Sequence, residues 1–143
     1  MATTTRETGR QAGRVTAASF GLVIMLIIQY ALGIAYNLYG AAPTATKKVG
    51  AFSSPLLAVH VIMGILLIIA SIYLVVMAVR SRIQLAVITS VAGMLSLFGA
   101  GVTGSEFTET GGNGYSLAMG MTTAVALLCY VLNLRVLRGN GHE

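Results

Sequence analysis

The chain has 143 residues, of which 56% are hydrophobic and only 9% charged, with a net charge of +5. Ordinary soluble domains carry about 25% charged residues, so this composition excludes a water-soluble fold. The basic residues do not cluster with interleaved aromatics, which excludes nucleic acid as a partner, and four apolar stretches leave no length for a soluble catalytic domain.

Residues 1–16, rich in Thr, Arg and Gly, read as a cytoplasmic tail without a helical apolar stripe. The first span runs from Ala17 to Tyr39. It reads as retained rather than cleaved, being too long for a signal h-region and lacking an Ala-x-Ala closure. A loop with Pro43 and Gly50 follows, and Ser53-Ser54-Pro55 predicts a helix start near Pro55, because proline fits the first turn. The second span extends from Pro55 to Val79 and the third from Ile83 to Val102; the short turn around Ser81 makes these two adjacent and antiparallel. Gly99, Gly101 and Gly104 are expected to loosen the end of span three, ahead of a flexible acidic loop with Glu106 and Glu109. Gly111-Gly112-Asn113-Gly114 then forms a turn, Tyr115 or Ser116 opens span four, and Leu137 ends it, with 138–143 as a second tail. Each span is long enough to cross about 30 Å of hydrocarbon. The predicted fold is therefore all-α, an up-down-up-down four-helix transmembrane bundle over residues 17–137.

Charge sets the orientation. Arg6, Arg10, Arg14, Arg80, Arg82, Arg135 and Arg138 fall on one side, and Lys47, Lys48, Glu106 and Glu109 on the other. The positive-inside bias puts both termini in the cytoplasm of a multi-pass protein of the cell membrane. Cys129 is the single cysteine, so no disulfide is expected.

Membrane helices associate through small and polar residues, which therefore mark the inward faces. Gln29, Gly33 and Asn37 form one stripe, with Tyr36 beside it. Span two offers His60, Gly64 and Ser71; span three Ser90, Gly93, Ser96 and Ala100; span four Ser116, Gly120, Thr123 and Ala124. Depth counting brings Asn37, His60, Tyr115 and Ser116 together near the outer surface under Glu106 and Glu109, and leaves Gln29 deeper. The apolar remainder faces lipid, other subunits or copies of the same chain.

An ionisable residue within a span raises the question of its partner and its function, and His60 is that residue. In the plainest reading it is neutral and hydrogen-bonds Asn37 or Tyr36. A second reading makes it an axial ligand of haem b, with Gly64 leaving room for the porphyrin and the sixth position taken by a methionine such as Met119 or Met94, supplied by a second copy of the chain, or left open. A third makes it a metal ligand with Glu106 or Glu109, or a hydrogen-bond donor to a quinone alongside Tyr36 and Asn37. No charged residue lies within the hydrocarbon and no span is broken by a central proline, which argues against a self-contained transporter. No nucleophile motif, phosphate loop or zinc motif occurs.

Gln29-Tyr30-Ala31-Leu32-Gly33, Asn37-Leu38-Tyr39, Ala58-Val59-His60 through Gly64, and Tyr115-Ser116-Leu117-Ala118-Met119-Gly120 together resemble a group of small, uncharacterised four-span prokaryotic integral membrane proteins. The chain is also loosely similar to cytochrome b561-type four-helix bundles, which pair histidines from different helices around haem; here His60 is the only histidine in a span. The expected function is that of an auxiliary or structural subunit of a larger membrane complex, with a redox or respiratory oxidoreductase as host. The alternatives are a self-contained haem or quinone electron-transfer protein using His60, and a homo-oligomeric pore or carrier.

Overall fold

The computed structural model describes residues 2–40, 43, 44 and 46–139. It is all-α, with four helices: α1 (Ala2–Tyr39), α2 (Pro55–Ser81), α3 (Gln84–Thr110) and α4 (Asn113–Gly139). All four are long and apolar enough to cross a bilayer. Helices suit that setting because each satisfies its backbone hydrogen bonds within its own segment.

Helix boundaries differ from expectation at several ends. The segment expected as an N-terminal tail continues α1 from Ala2. Span three does not loosen at its glycines: α3 continues past Gly99, Gly101 and Gly104 to Thr110, so the expected acidic loop is mostly helix. Interior glycines cost helix propensity, but here the unbroken hydrogen-bond ladder outweighs that cost. The α3–α4 connection shrinks to Gly111 and Gly112, and α4 opens at Asn113 rather than at Tyr115 or Ser116. Of the expected C-terminal tail, 138 and 139 belong to α4, and 140–143 lie outside the described residues.

Local chemistry explains the turns. Ser54 caps α2, its hydroxyl accepting the Leu57 amide hydrogen at 3.2 Å, with Pro55 in the first turn. Arg82 closes α2 in the left-handed region at φ 58°, its N–H bonded to the Val79 carbonyl. Gly111 closes α3 at φ 70°, donating to the Phe107 carbonyl at 2.8 Å. Glycine is doubly required there, since a Cβ would also collide with the Pro43 carbonyl. The α1–α2 loop is held against the end of α3 by the Val49 N–H on the Thr108 carbonyl, 3.1 Å, and by the Lys48–Glu109 ion pair, also 3.1 Å.

The helices form a ring in which each touches its two neighbours, α1 against α2 and α4, and α3 against α2 and α4. Contacts run in reverse order along neighbours: Thr89 meets Asn133, Gly93 meets Tyr130, Gly99 meets Thr122 and Gly104 meets Met119. The packed core is not central. Its buried members, among them Val15, Leu22, Leu74, Met77, Ala78, Ala86 and Tyr130, gather toward the end that carries the α2–α3 turn. Tyr130 is fully buried on the bundle axis and seated on Gly93, where a Cβ would fall 2.7 Å from its ring. Beside it, Thr89 donates to Asn133 at 2.5 Å and Asn133 to Ser90 at 2.8 Å, all buried, so these three side chains pair across α3 and α4.

Candidate functional site

His60 sits on the second turn of α2, and its partner is Gln29 of α1 rather than Asn37 or Tyr36. The Gln29 amide nitrogen lies 2.9 Å from the His60 carbonyl oxygen and 3.3 Å from its Nε2. A carbonyl oxygen only accepts, which fixes the amide's orientation; an amide nitrogen only donates, so Nε2 accepts and the ring proton resides on Nδ1. His60 is thus held as the neutral Nδ1–H tautomer. Nδ1 itself and the Gln29 Oε1 are buried without a hydrogen-bond partner among the described residues.

Two glycines make this contact possible. A Cβ on Gly33 would lie 3.2 Å from His60 Cε1, and one on Gly64 would lie 3.3 Å from the Gln29 amide nitrogen. Gly64 stands four residues after His60, where a side chain would cover the His60 carbonyl; its absence lets Gln29 reach that oxygen. The sequence shows Gln29-x-x-x-Gly33 and His60-x-x-x-Gly64 separately. It does not show that each polar residue docks on the other helix's glycine.

The remaining expected cluster is divided. Asn37 donates to Ser116 at 3.4 Å, joining α1 to α4. Glu109 is occupied by Lys48, and no group of three His, Cys, Asp or Glu side chains that could hold a metal ion occurs among the described residues. The metal role expected for His60 therefore has no ligand set. The space beside Gly64 that haem would need holds the Gln29 amide, and the His60 Nε2 is already engaged. Met119 turns its sulfur toward Gly104, where a Cβ would lie 3.1 Å away. Haem ligation has no support in this geometry.

Around the Gln29–His60 pair the bundle axis is open. A cavity of about 900 Å³ is lined from all four helices, including Gln29, Gly33 and Asn37 of α1, His60 and Gly64 of α2, Ala100 and Gly104 of α3, and Ser116, Gly120 and Ala124 of α4. That volume is in the range of small-molecule sites. Leu26, Leu67 and Leu97, each at most 6% exposed, line its deep end and join the packed core beyond it. Small residues on every helix, among them Gly33, Gly64, Ala100, Gly104, Gly120 and Ala124, leave this space, whereas Tyr130, Leu22 and Leu74 belong to the packed core of the other half. None of the lining residues is charged.

Of the residues expected to pack helices together, Gly33 and Gly93 do so, against His60 and Tyr130. Gly120 does not: a Cβ there would meet nothing within 4 Å, so this glycine faces open space. Ser96 and Thr123 satisfy their hydroxyls on their own helices, on the carbonyls of Ala92 and Met119. Tyr130, Thr89 and Asn133 were not anticipated as interior residues. Their signal was faint, because a lone tyrosine or asparagine near a span's basic end also fits an interfacial position.

Fold and site together define a bundle of four helices suited to spanning a bilayer, with a neutral chamber in one half. The chain matches no protein-family model, no curated protein and no solved structure.

Proposed function

We propose that this chain is a small integral-membrane accessory protein that serves a larger membrane assembly by holding a lipid-soluble molecule in its four-helix chamber. The carrying observation is the uneven axis: one half is filled by Tyr130 and leucines, and the other is left open over about 900 Å³. A cavity of that size forfeits packing contacts in an interior otherwise close-packed, and a bound apolar molecule restores them. The unpartnered Nδ1 of His60 and Oε1 of Gln29 belong to residues lining that space.

Four spans run up, down, up and down, with both termini cytoplasmic. The reversed pairings of Gln29 with Gly64 and His60 with Gly33, and those between α3 and α4, support this order. So does the meeting of the α1–α2 loop with the end of α3. Arginine enrichment at the opposite end supports the orientation. The outward apolar faces, such as Ile62, Ile65, Leu66 and Ile69 of α2, suit lipid and partner helices equally.

Purification in mild detergent followed by native mass spectrometry tests the reading. A small molecule retained at one equivalent, together with a stably associated membrane partner, is the expected result. A chain that migrates alone and empty overturns it. Single cysteines at positions 48 and 82, introduced after Cys129→Ser, test the orientation: the first reacts with an impermeant maleimide on intact cells, the second only after permeabilisation.

A further inference from the structure

We propose that the seam between α1 and α4 is a lateral opening, and that the chamber takes an uncharged lipid with a carbonyl or hydroxyl head directly from the acyl-chain region. The inference rests on the chamber reading above and adds the route and the ligand class. Tyr30 and Ile34 of α1 and Leu117 and Met121 of α4 line the cavity and yet are 51, 46, 66 and 62% exposed, so the wall of the chamber at this seam is also the outer surface of the molecule. The Asn37–Ser116 hydrogen bond ties the two helices at one end of the seam. Just below it lies Gly120, with nothing within 4 Å of where a side chain would begin. Across the seam between α2 and α3, by comparison, Ile68 Cδ1 comes to 3.9 Å of a Cβ on Gly101.

Ligand class follows from the lining. With no charged residue to pair with it, a charged head group would lose its hydration without compensation, whereas a neutral one loses little. The polar groups that line the space are amides, hydroxyls and one neutral imidazole, which suit oxygen atoms that accept or donate hydrogen bonds. An opening onto exposed apolar side chains suits a prenyl or acyl tail that stays partly in the bilayer. Quinones and diacylglycerols share this chemistry.

The test uses the full chain in phosphatidylcholine nanodiscs with three probes: a short-chain menaquinone, dioctanoylglycerol and dioctanoyl phosphatidic acid. Native mass spectrometry is expected to show one equivalent of at least one neutral probe, and which one is retained names the head group. Gly120→Leu, which fills the seam, is expected to weaken that binding about tenfold or more, while Gly21→Leu, on an exposed face with nothing within 4 Å, leaves it unchanged. Ile34→Trp narrows the same opening from α1 and serves as a second variant should Gly120→Leu not fold. Phosphatidic acid binding as tightly as the neutral probes overturns the ligand class. Undiminished binding in both seam variants overturns the route and leaves the chamber reading standing. Absence of every probe from the wild-type chain overturns the chamber reading and this inference together.

Discussion

Gln29 and His60 hold α1 and α2 together through a reciprocal exchange: each rests on the glycine four residues beyond the other, Gln29 on Gly64 and His60 on Gly33, and the Gln29 amide bonds both the carbonyl and the ring of His60. In hydrocarbon this arrangement combines close backbone approach with two hydrogen bonds, the two interactions that drive helix association there.

The pair should therefore be energetically coupled. A double-mutant cycle of Gln29→Leu and His60→Leu, measured by reversible unfolding in bicelles, is expected to give an interaction energy of about 0.6–1.7 kcal/mol. Additivity of the two substitutions would show that the contact contributes nothing to stability.

Glycines on the two sides of the chamber should respond oppositely to bulk. Gly33→Leu and Gly64→Leu force α1 from α2 and are expected to destabilise by about 1–3 kcal/mol. Gly120→Leu enters open space and should stay within about 0.5 kcal/mol of wild type. Thermal unfolding of the three variants in the same detergent provides the comparison.

Tyr130 should matter for its ring and not for its hydroxyl. Its buried hydroxyl, near Ser71, makes no well-formed hydrogen bond among the described residues. Tyr130→Phe is accordingly expected to change stability by less than about 1 kcal/mol. Tyr130→Ala empties the axis over Gly93 and should cost about 3–5 kcal/mol, extending the cavity through the core. Equal losses for the two substitutions in equilibrium unfolding would contradict this division.

Asn133 serves Thr89 and Ser90 at once. Asn133→Leu removes the interhelical partner of both hydroxyls, with Thr89 keeping the Leu85 carbonyl of its own helix, and is expected to cost about 1–3 kcal/mol. Thr89→Val in the same background should recover part of that loss.

The ion pair that ties the α1–α2 loop to α3 should be nearly dispensable. Lys48 and Glu109 are 74% and 58% exposed, so Lys48→Ala is expected to cost less than about 1 kcal/mol and less still in high salt. The Val49 amide, bonded to the Thr108 carbonyl, should keep its hydrogen-exchange protection in that variant. Loss of that protection would show that the ion pair, rather than the backbone bond, holds the loop.

The amino-acid sequence by itself determined four helices, because runs of apolar residues this long satisfy their backbone only as helices in hydrocarbon, and it marked His60, Gln29, Gly33 and Gly64 as inward residues through their four-residue spacing. It set His60 against Asn37 because depth counted from predicted span ends ignores the tilt and the backbone approach that glycines permit. Tertiary structure alone decided that Gln29 is the partner, that Tyr130 fills one half of the axis, and that Gly120 borders a chamber. A stripe of small residues has two physical outcomes, a neighbour drawn close or a space left open, and the choice depends on what the facing helix presents. Gly33 met an imidazole and Gly93 a phenol ring; Gly120 met neither.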